Sequence, residues 1–96
     1  MIIVMGSARA LPDARDELIS AAATMAAATR PDDGCESYGF FIDVSDLDVV
    51  ASMEVWRDQA ALDAHMLHAH TTSFLDLVGS LIEGEPQMSF YVVSDS

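Results

Sequence analysis

The sequence contains no lysine, and arginine supplies all 4 of its basic side chains against 16 acidic ones. The formal charge of −12 leaves no basic surface of the kind that nucleic acids and anionic membranes require. A chain without lysine also cannot form a Schiff base through an ε-amino group. We therefore expect no nucleic-acid partner, no membrane partner and no imine chemistry.

Cysteine is nearly absent, since Cys35 is the only one in the chain. A single cysteine cannot form an internal disulfide, which favours a reducing compartment. The first ten residues lack a basic segment followed by a long apolar run, and no later stretch reaches membrane-spanning length. We expect a cytoplasmic protein.

Length and hydrophobicity together indicate a single small domain with more apolar surface than its own core can bury. The 96 residues suit a single domain over 1–96, and 51% of them are hydrophobic. Because so short a chain buries only about 60 to 70% of its unfolded surface, we expect part of the apolar surface to be covered by another subunit.

Apolar periodicity and turn residues predict the order β-α-β-β-α-β, with the second helix broken in two. The predicted strands cover 2–9, 35–43, 49–56 and 87–93. The predicted helices cover 13–29 with Asp13 as N-cap, a short segment after the N-cap Asp58, and 73–82 capped by Thr71 or Thr72. A polar tail follows. This order is the ferredoxin-like pattern, an α+β fold with a four-stranded antiparallel sheet and helices on one face.

The predicted strands are apolar on both faces, as the adjacent Phe40 and Phe41 illustrate. Helices can cover only one face of a four-stranded sheet. A second copy of the same sheet, related by two-fold symmetry, is the simplest cover for the other face. The pattern therefore predicts a homodimer.

Histidine is the strongest candidate for acid–base chemistry. His65 lies three residues after Leu62 and four after Ala61, on the apolar side of its predicted helix, and imidazole titrates near neutral pH. Two readings stay open. His65 is either a general base, or a structural residue hydrogen-bonded to the backbone or to Glu54.

Three histidines, His65, His68 and His70, also raise the question of a metal. Their spacing lacks the HExxH pattern and no cysteine joins them. Helix geometry is expected to direct His68 and His70 away from His65. We therefore expect no metal site.

Three ordered segments carry a resemblance to a known family. They are Arg30-Pro31-Asp32-Asp33-Gly34-Cys35-Glu36-Ser37-Tyr38, then Glu54-Val55-Trp56-Arg57-Asp58-Gln59-Ala60-Ala61-Leu62-Asp63-Ala64-His65, then His70 with Phe74. In order and spacing they resemble the antibiotic biosynthesis monooxygenase family of the dimeric α+β barrel superfamily, whose members show a PGC-like turn near a tyrosine, an E-x-W pair, an ALxxH helix and a second histidine.

The resemblance implies a cofactor-independent monooxygenase, with neither metal nor flavin, that acts on a small phenolic, quinol or polyketide-like aromatic molecule. A base deprotonates the substrate, and the substrate anion reduces O₂ directly. His65 would be the catalytic residue, and the substrate-binding residues would be Trp56, Tyr38, Glu54, His70 and Phe74. Trp56 and Glu54 also suit a purely structural role in the core.

Two branches of that family are matched poorly. The aromatic-polyketide oxygenases carry an asparagine and a tyrosine where this chain has Ser52 and Leu62. The haem-degrading branch carries an asparagine, a tryptophan and a histidine where this chain has Met5, His65 and Leu75, which disfavours haem degradation. The alternative to an oxygenase is a non-enzymatic dimeric module that binds a small hydrophobic ligand.

Overall fold

The computed structural model describes residues 1–94, which form four strands and three helices. The strands are β1 (Ile2–Arg9), β2 (Cys35–Asp43), β3 (Asp46–Trp56) and β4 (Gln87–Val92), and the helices are α1 (Arg15–Thr29), α2 (Gln59–Leu67) and α3 (Ala69–Gly79). The sheet is antiparallel with the order β2-β3-β1-β4. The predicted ferredoxin-like α+β fold is confirmed. The predicted polar tail lies partly outside the described residues.

The helices cover one face of the sheet, which we call the inner face. Side chains alternate between faces along each strand, and register places Val4 beside Glu54 and Glu54 beside Tyr38 on the inner face. Val4 and Trp56 are almost fully buried there, and Met25 of α1 packs on the same cluster. This packing fixes the side chains that surround the site described below.

The opposite, outer face of the sheet is apolar and exposed. Met5 pairs with Met53 across β1 and β3, and both remain more than 40% exposed, as do Phe41 and Tyr91 on neighbouring strands. In a single chain this surface has no cover from the helices. The expectation that a second copy covers it stays a prediction. Within residues 1–94, no helix has both the length and the apolar character needed to cross a membrane.

The start of α1 differs from the prediction. Asp13 was expected to cap the helix, but its φ is +66° and the N-cap position belongs to Ala14. The Ala14 N–H donates to the Leu11 carbonyl at 3.0 Å, so Asp13 lies inside a turn. A left-handed residue cannot act as an N-cap, whose backbone is usually extended.

The hairpin between β2 and β3 is tighter than predicted. β3 begins at Asp46 and not at Val49, and Asp43 pairs with Asp46 across a two-residue turn. The Asp43 carboxylate accepts from the Ser45 N–H at 2.8 Å. The acidic residues therefore close the ends of the strands instead of forming a long loop.

The second helix is broken, as predicted, but at another residue. Asp58 caps α2 as expected, with its carboxylate accepting from the Ala61 N–H at 2.9 Å. α3 begins at Ala69, whereas Thr71 or Thr72 was expected to cap it, and it ends at Gly79 instead of residue 82. His68 is extended and separates the two helices. Its carbonyl accepts from the N–H groups of both threonines.

Gly34 shapes the turn between α1 and β2. Its φ of +79° lies in the left-handed region, where residues with a Cβ are disfavoured. A Cβ at this position would stand 2.4 Å from the Cβ of Ala61 in α2. The Gly34 carbonyl accepts from the Arg57 N–H at 2.8 Å. The turn is thus held directly against the start of α2.

We predict that Gly34→Ala destabilises the fold far more than Gly84→Ala. Both glycines have positive φ, but a Cβ at Gly84 would meet no atom within 4 Å. The matched control should lose about 1–2 kcal/mol from the backbone alone, and Gly34→Ala about 2–5 kcal/mol because a steric clash is added. Chemical denaturation measures both values. Equal losses in the two variants would contradict the close packing of the turn on α2.

Candidate functional site

A cavity of about 110 Å³ lies between the inner face of the sheet and the helices. Its floor comes from β1, β2 and β3 and its walls from all three helices, and most of its lining is apolar. Tyr38, Glu54 and His65 contribute the ionisable groups. Met66, Leu75 and Met88 line it while remaining about half exposed, so they form its mouth. A small apolar molecule suits such an enclosure.

His65 forms one wall of this cavity and is almost completely buried. Its ring stacks on Trp56 with centroids 4.5 Å apart and lies 5.7 Å from the ring of Tyr38. Nε2 is 3.9 Å from Glu54 Oε1, beyond hydrogen-bonding distance. Glu54, beside Nε2, lines the cavity, and so does Thr71, beside Nδ1. Asp32, the other neighbour of Nδ1, does not line it.

Asp32 is the residue that Nδ1 of His65 faces. Its Oδ2 lies 3.4 Å from His65 Nδ1, 3.0 Å from His68 Nδ1 and 3.0 Å from His70 Nε2. Thr71 Oγ1 is a further neighbour of His65 Nδ1, at 3.3 Å. One carboxylate oxygen therefore meets all three histidines of the sequence. We call Asp32, His65, His68 and His70 the histidine–aspartate cluster.

The break between α2 and α3 explains this convergence. His65 lies in the last turn of α2 and His70 in the first turn of α3, while His68 is the extended residue between them. Extension at His68 redirects the chain, so the expectation that His68 and His70 point elsewhere is wrong. Asp32 reaches the cluster from the turn after α1, where its N–H donates to the Thr29 carbonyl at 2.8 Å.

The protonation pattern follows from the charge of Asp32. Burial tends to raise the pKa of Asp32, but the hydrogen bonds from His68, His70 and His65 together lower it below its usual value. An ionised carboxylate only accepts hydrogen bonds, so each ring nitrogen that faces it must carry a proton. Burial lowers the pKa of His65, although the hydrogen bond and the charge of Asp32 act in the opposite direction. The lowered pKa favours a neutral ring. A neutral His65 protonated at Nδ1 has its lone pair on Nε2.

Glu54 and Trp56 form a hydrogen-bonded unit beside His65. The indole Nε1 donates to Glu54 Oε1 at 3.0 Å. Burial raises the pKa of Glu54, with the Trp56 hydrogen bond acting in the opposite direction. Trp56 is fully buried and packs against His65. These contacts make Trp56 and Glu54 supports for His65, while their predicted contact with substrate stays a prediction.

Aromatic side chains complete the cavity. Phe74 of α3 packs against Phe40 of β2 with centroids 5.5 Å apart, and Phe40 in turn meets the edge of Tyr38 at 5.6 Å. All three line the cavity. Burial raises the pKa of the Tyr38 phenol far above neutral pH, so its hydroxyl stays protonated. The Tyr38 side chain also interacts with Thr29, which does not line the cavity.

The structure brings most of the predicted site residues together. Tyr38, Glu54, His65 and Phe74 share the cavity, whereas His70 lies on the far side of His65, beside a groove between α1 and α3. Sequence reasoning missed Asp32 as the partner of His65. A signal was present, because Asp32 belongs to the turn that carried the family resemblance.

The cluster also has the composition of a possible metal site. Asp32 and the three histidines offer one ligand atom each, and these atoms lie within 4.8 Å of one another. Imidazole and carboxylate are ligands that first-row transition metals accept. The sequence pattern gave no metal motif, yet the fold assembles four candidate ligands.

The fold and the cavity define a small α+β protein with a mostly apolar, aromatic-lined cavity beside a histidine–aspartate cluster. The sequence profile of the Antibiotic biosynthesis monooxygenase family matches residues 1–85. The chain belongs to the antibiotic biosynthesis monooxygenase family.

Individual relatives are distant in sequence. The uncharacterized protein sll1783 of Synechocystis is 28% identical over 95 residues, which are 99% of this chain and 65% of that protein. The chain thus spans just under two thirds of that relative. YcnE of Bacillus subtilis, whose name describes it as a candidate monooxygenase, is 28% identical over 75 residues, covering 78% of this chain and 79% of its own.

Solved structures agree on the fold. Rv0793 of Mycobacterium tuberculosis superposes with a TM-score of 0.91 at 26% identity, covering 99% of this chain and 96% of its own. A candidate antibiotic biosynthesis monooxygenase from Deinococcus radiodurans gives a TM-score of 0.93 at 24% identity, covering 100% and 95%. The second similarity supports the architecture alone.

Proposed function

We propose that this protein is a monooxygenase that oxygenates a small, single-ring phenol or quinol without a metal or a flavin. The observation that carries the proposal is the position of His65, whose Nδ1 faces Asp32 while Nε2 lies beside Glu54, which lines the cavity. Membership of the monooxygenase family and the name of YcnE support the reaction class.

The volume of the cavity narrows the substrate class. At about 110 Å³ it approaches an engineered cavity of about 150 Å³ that accepts benzene. A molecule of three or four fused rings would extend through the mouth formed by Met66, Leu75 and Met88. The apolar walls suit an aromatic ring, and the Glu54 carboxyl provides a polar contact for an oxygen substituent.

The reaction balances without a further reductant. Nε2 of His65 takes a proton from the substrate, which leaves an electron-rich anion on the ring. A ring carbon of this anion transfers electrons to O₂ and forms a peroxide, and His65 returns the proton. The ring carbon then loses its hydrogen as a proton while the O–O bond breaks, and this proton joins the departing hydroxide as water, which leaves a quinone carbonyl. One oxygen atom enters the product and the other leaves as water.

Asp32 has the role of a positioning residue in this scheme. Its carboxylate fixes the proton of His65 on Nδ1, which leaves the lone pair on Nε2 beside Glu54, and it stabilises the imidazolium that forms when Nε2 is protonated. The same relation between a carboxylate and a histidine orients the base in hydrolytic triads. Thr71, beside Nδ1, adds a second contact that holds the ring.

We predict that His65→Gln lowers turnover by about 10²–10⁴-fold, the usual contribution of a general base, because glutamine cannot take up a proton at neutral pH. Asp32→Asn should also lower kcat. Asp33→Asn is the matched control and should leave kcat unchanged, because Asp33 lies in the same turn but is 92% exposed and paired with Arg57. The measurement is oxygen uptake in buffer that contains EDTA. Single-ring quinols and phenols are compared with three-ring anthrones as substrates.

The outcomes separate the two roles of His65. Unchanged turnover of His65→Gln, with a stability loss of about 1–3 kcal/mol from stranded hydrogen-bond partners, would end the catalytic assignment. Ligand binding with no oxygen uptake for any substrate would instead support the non-enzymatic ligand-binding module.

We further propose a cytoplasmic homodimer in which two outer sheet faces cover each other. The exposed apolar side chains of that face, Met5, Phe41, Met53 and Tyr91, support this assembly, since exposed apolar patches of this kind mark interfaces. The lone cysteine, Cys35, favours the reducing compartment.

The dimer predicts a mass twice the chain mass of 10.3 kDa in light scattering at micromolar concentration. Met53→Asp should shift the protein toward monomer, because it places a charge in the apolar interface. Leu67→Asp is the matched control, since Leu67 is 83% exposed at the end of α2, and it should leave the mass unchanged. A monomer mass for the parent chain would refute the dimer.

A further inference from the structure

We propose that the histidine–aspartate cluster binds one divalent transition-metal ion, with Zn²⁺ as the reference. The ligand atoms would be Asp32 Oδ2, His65 Nδ1, His68 Nδ1 and His70 Nε2, which lie within 4.8 Å of one another. The sequence raised the question of a metal at the three histidines, but their spacing matches no metal-binding motif. The inference rests on the geometry of the cluster.

The distances suit a four-coordinate ion. With metal–ligand bonds of about 2.0–2.1 Å, ligand atoms of a tetrahedral site stand about 3.3–3.4 Å apart. Asp32 Oδ2 is already 3.0, 3.0 and 3.4 Å from the three ring nitrogens. Bringing the nitrogens themselves together requires shifts of an ångström or so, within reach of side-chain adjustment at His68 and His70, which are partly exposed.

The chemistry of the ligands selects the class of ion. Three imidazoles with one carboxylate suit Zn²⁺, Co²⁺, Ni²⁺ or Cu²⁺. Mg²⁺ and Ca²⁺ prefer oxygen ligands and are disfavoured here. His68 is 40% exposed and His70 is 29% exposed, which gives an ion access from solvent. The charge of −12 attracts cations to the surface in general.

The ion would lie on the Nδ1 side of His65, and its other three ligands do not line the cavity. It would therefore not contact a substrate there, which agrees with oxygenation that needs no metal. A neutral imidazole with a metal on Nδ1 carries its proton on Nε2. Bound metal would thus remove the lone pair of the proposed base and inhibit turnover. This last consequence rests on the proposed function, whereas metal binding itself does not.

The test uses the full chain, freed of metal with EDTA and then exchanged into chelator-free buffer. Titration with Co²⁺ should produce the visible absorption of a four-coordinate ion, saturating at one ion per chain. Calorimetry should give the same stoichiometry for Zn²⁺. Excess Mg²⁺ or Ca²⁺ should not displace either ion. The readout is the ion itself, so it is independent of whether any oxygenase substrate is found.

Variants assign the ligands. Asp32→Asn and His68→Gln should each weaken Zn²⁺ binding by at least about tenfold, since even changes outside the ligand shell cost 10–100-fold. Asp33→Asn, the exposed neighbouring carboxylate, should bind as the parent does. If Asp32→Asn fails to fold, His68→Gln provides the test of metal binding, because replacing a partly exposed side chain should leave the protein folded. Absent Co²⁺ absorption in the parent, or parental affinity in His68→Gln, would overturn the proposal.

Discussion

The candidate site depends on one partly buried contact, the approach of the Asp32 carboxylate to the ring of His65. This contact links the turn after α1 to the end of α2, two parts of the chain separated by 33 positions in the sequence. It also sets which nitrogen of His65 carries the proton. Without Asp32, Nδ1 of this histidine would keep only the Thr71 hydroxyl, which can donate or accept a hydrogen bond and so does not fix the proton.

Several weaker contacts converge to hold that arrangement. Gly34 lets the turn lie against α2 where any Cβ would collide with Ala61. Trp56 packs against the His65 ring while its indole N–H is bound to Glu54. Thr71 adds a contact to the Nδ1 side of the ring. A histidine held on several sides in this way loses little freedom on binding a substrate.

The sequence predicted the fold well because period-two and period-3.6 patterns report directly on local structure. β2 was predicted with its observed limits, and the Asp58 cap was found in its place. The start of α1 was wrong because a left-handed Asp13 resembles an N-cap in sequence, and the sequence holds no sign of its φ. The predicted turn between β2 and β3 was too long because aspartates occur at strand ends as well as in turns.

The site was only partly predictable. His65 could be named from helix spacing, and Tyr38, Glu54 and Phe74 from the family resemblance. The convergence of His68 and His70 on Asp32 could not, because it depends on one extended residue between two helices and on tertiary contact with a distant turn. Residue spacing within one helix or strand carries no information about contacts with residues elsewhere in the chain.

The proton position on His65 tests the central claim most directly. Long-range ¹H–¹⁵N correlation spectra of the metal-free, ¹⁵N-labelled protein at neutral pH distinguish protonated from unprotonated ring nitrogens, and His65→Gln assigns the signals. We predict a proton on Nδ1 of His65 and a bare Nε2, with this pattern lost in Asp32→Asn. A proton on Nε2 of His65 in the metal-free protein would show that Asp32 does not hold the proton on Nδ1.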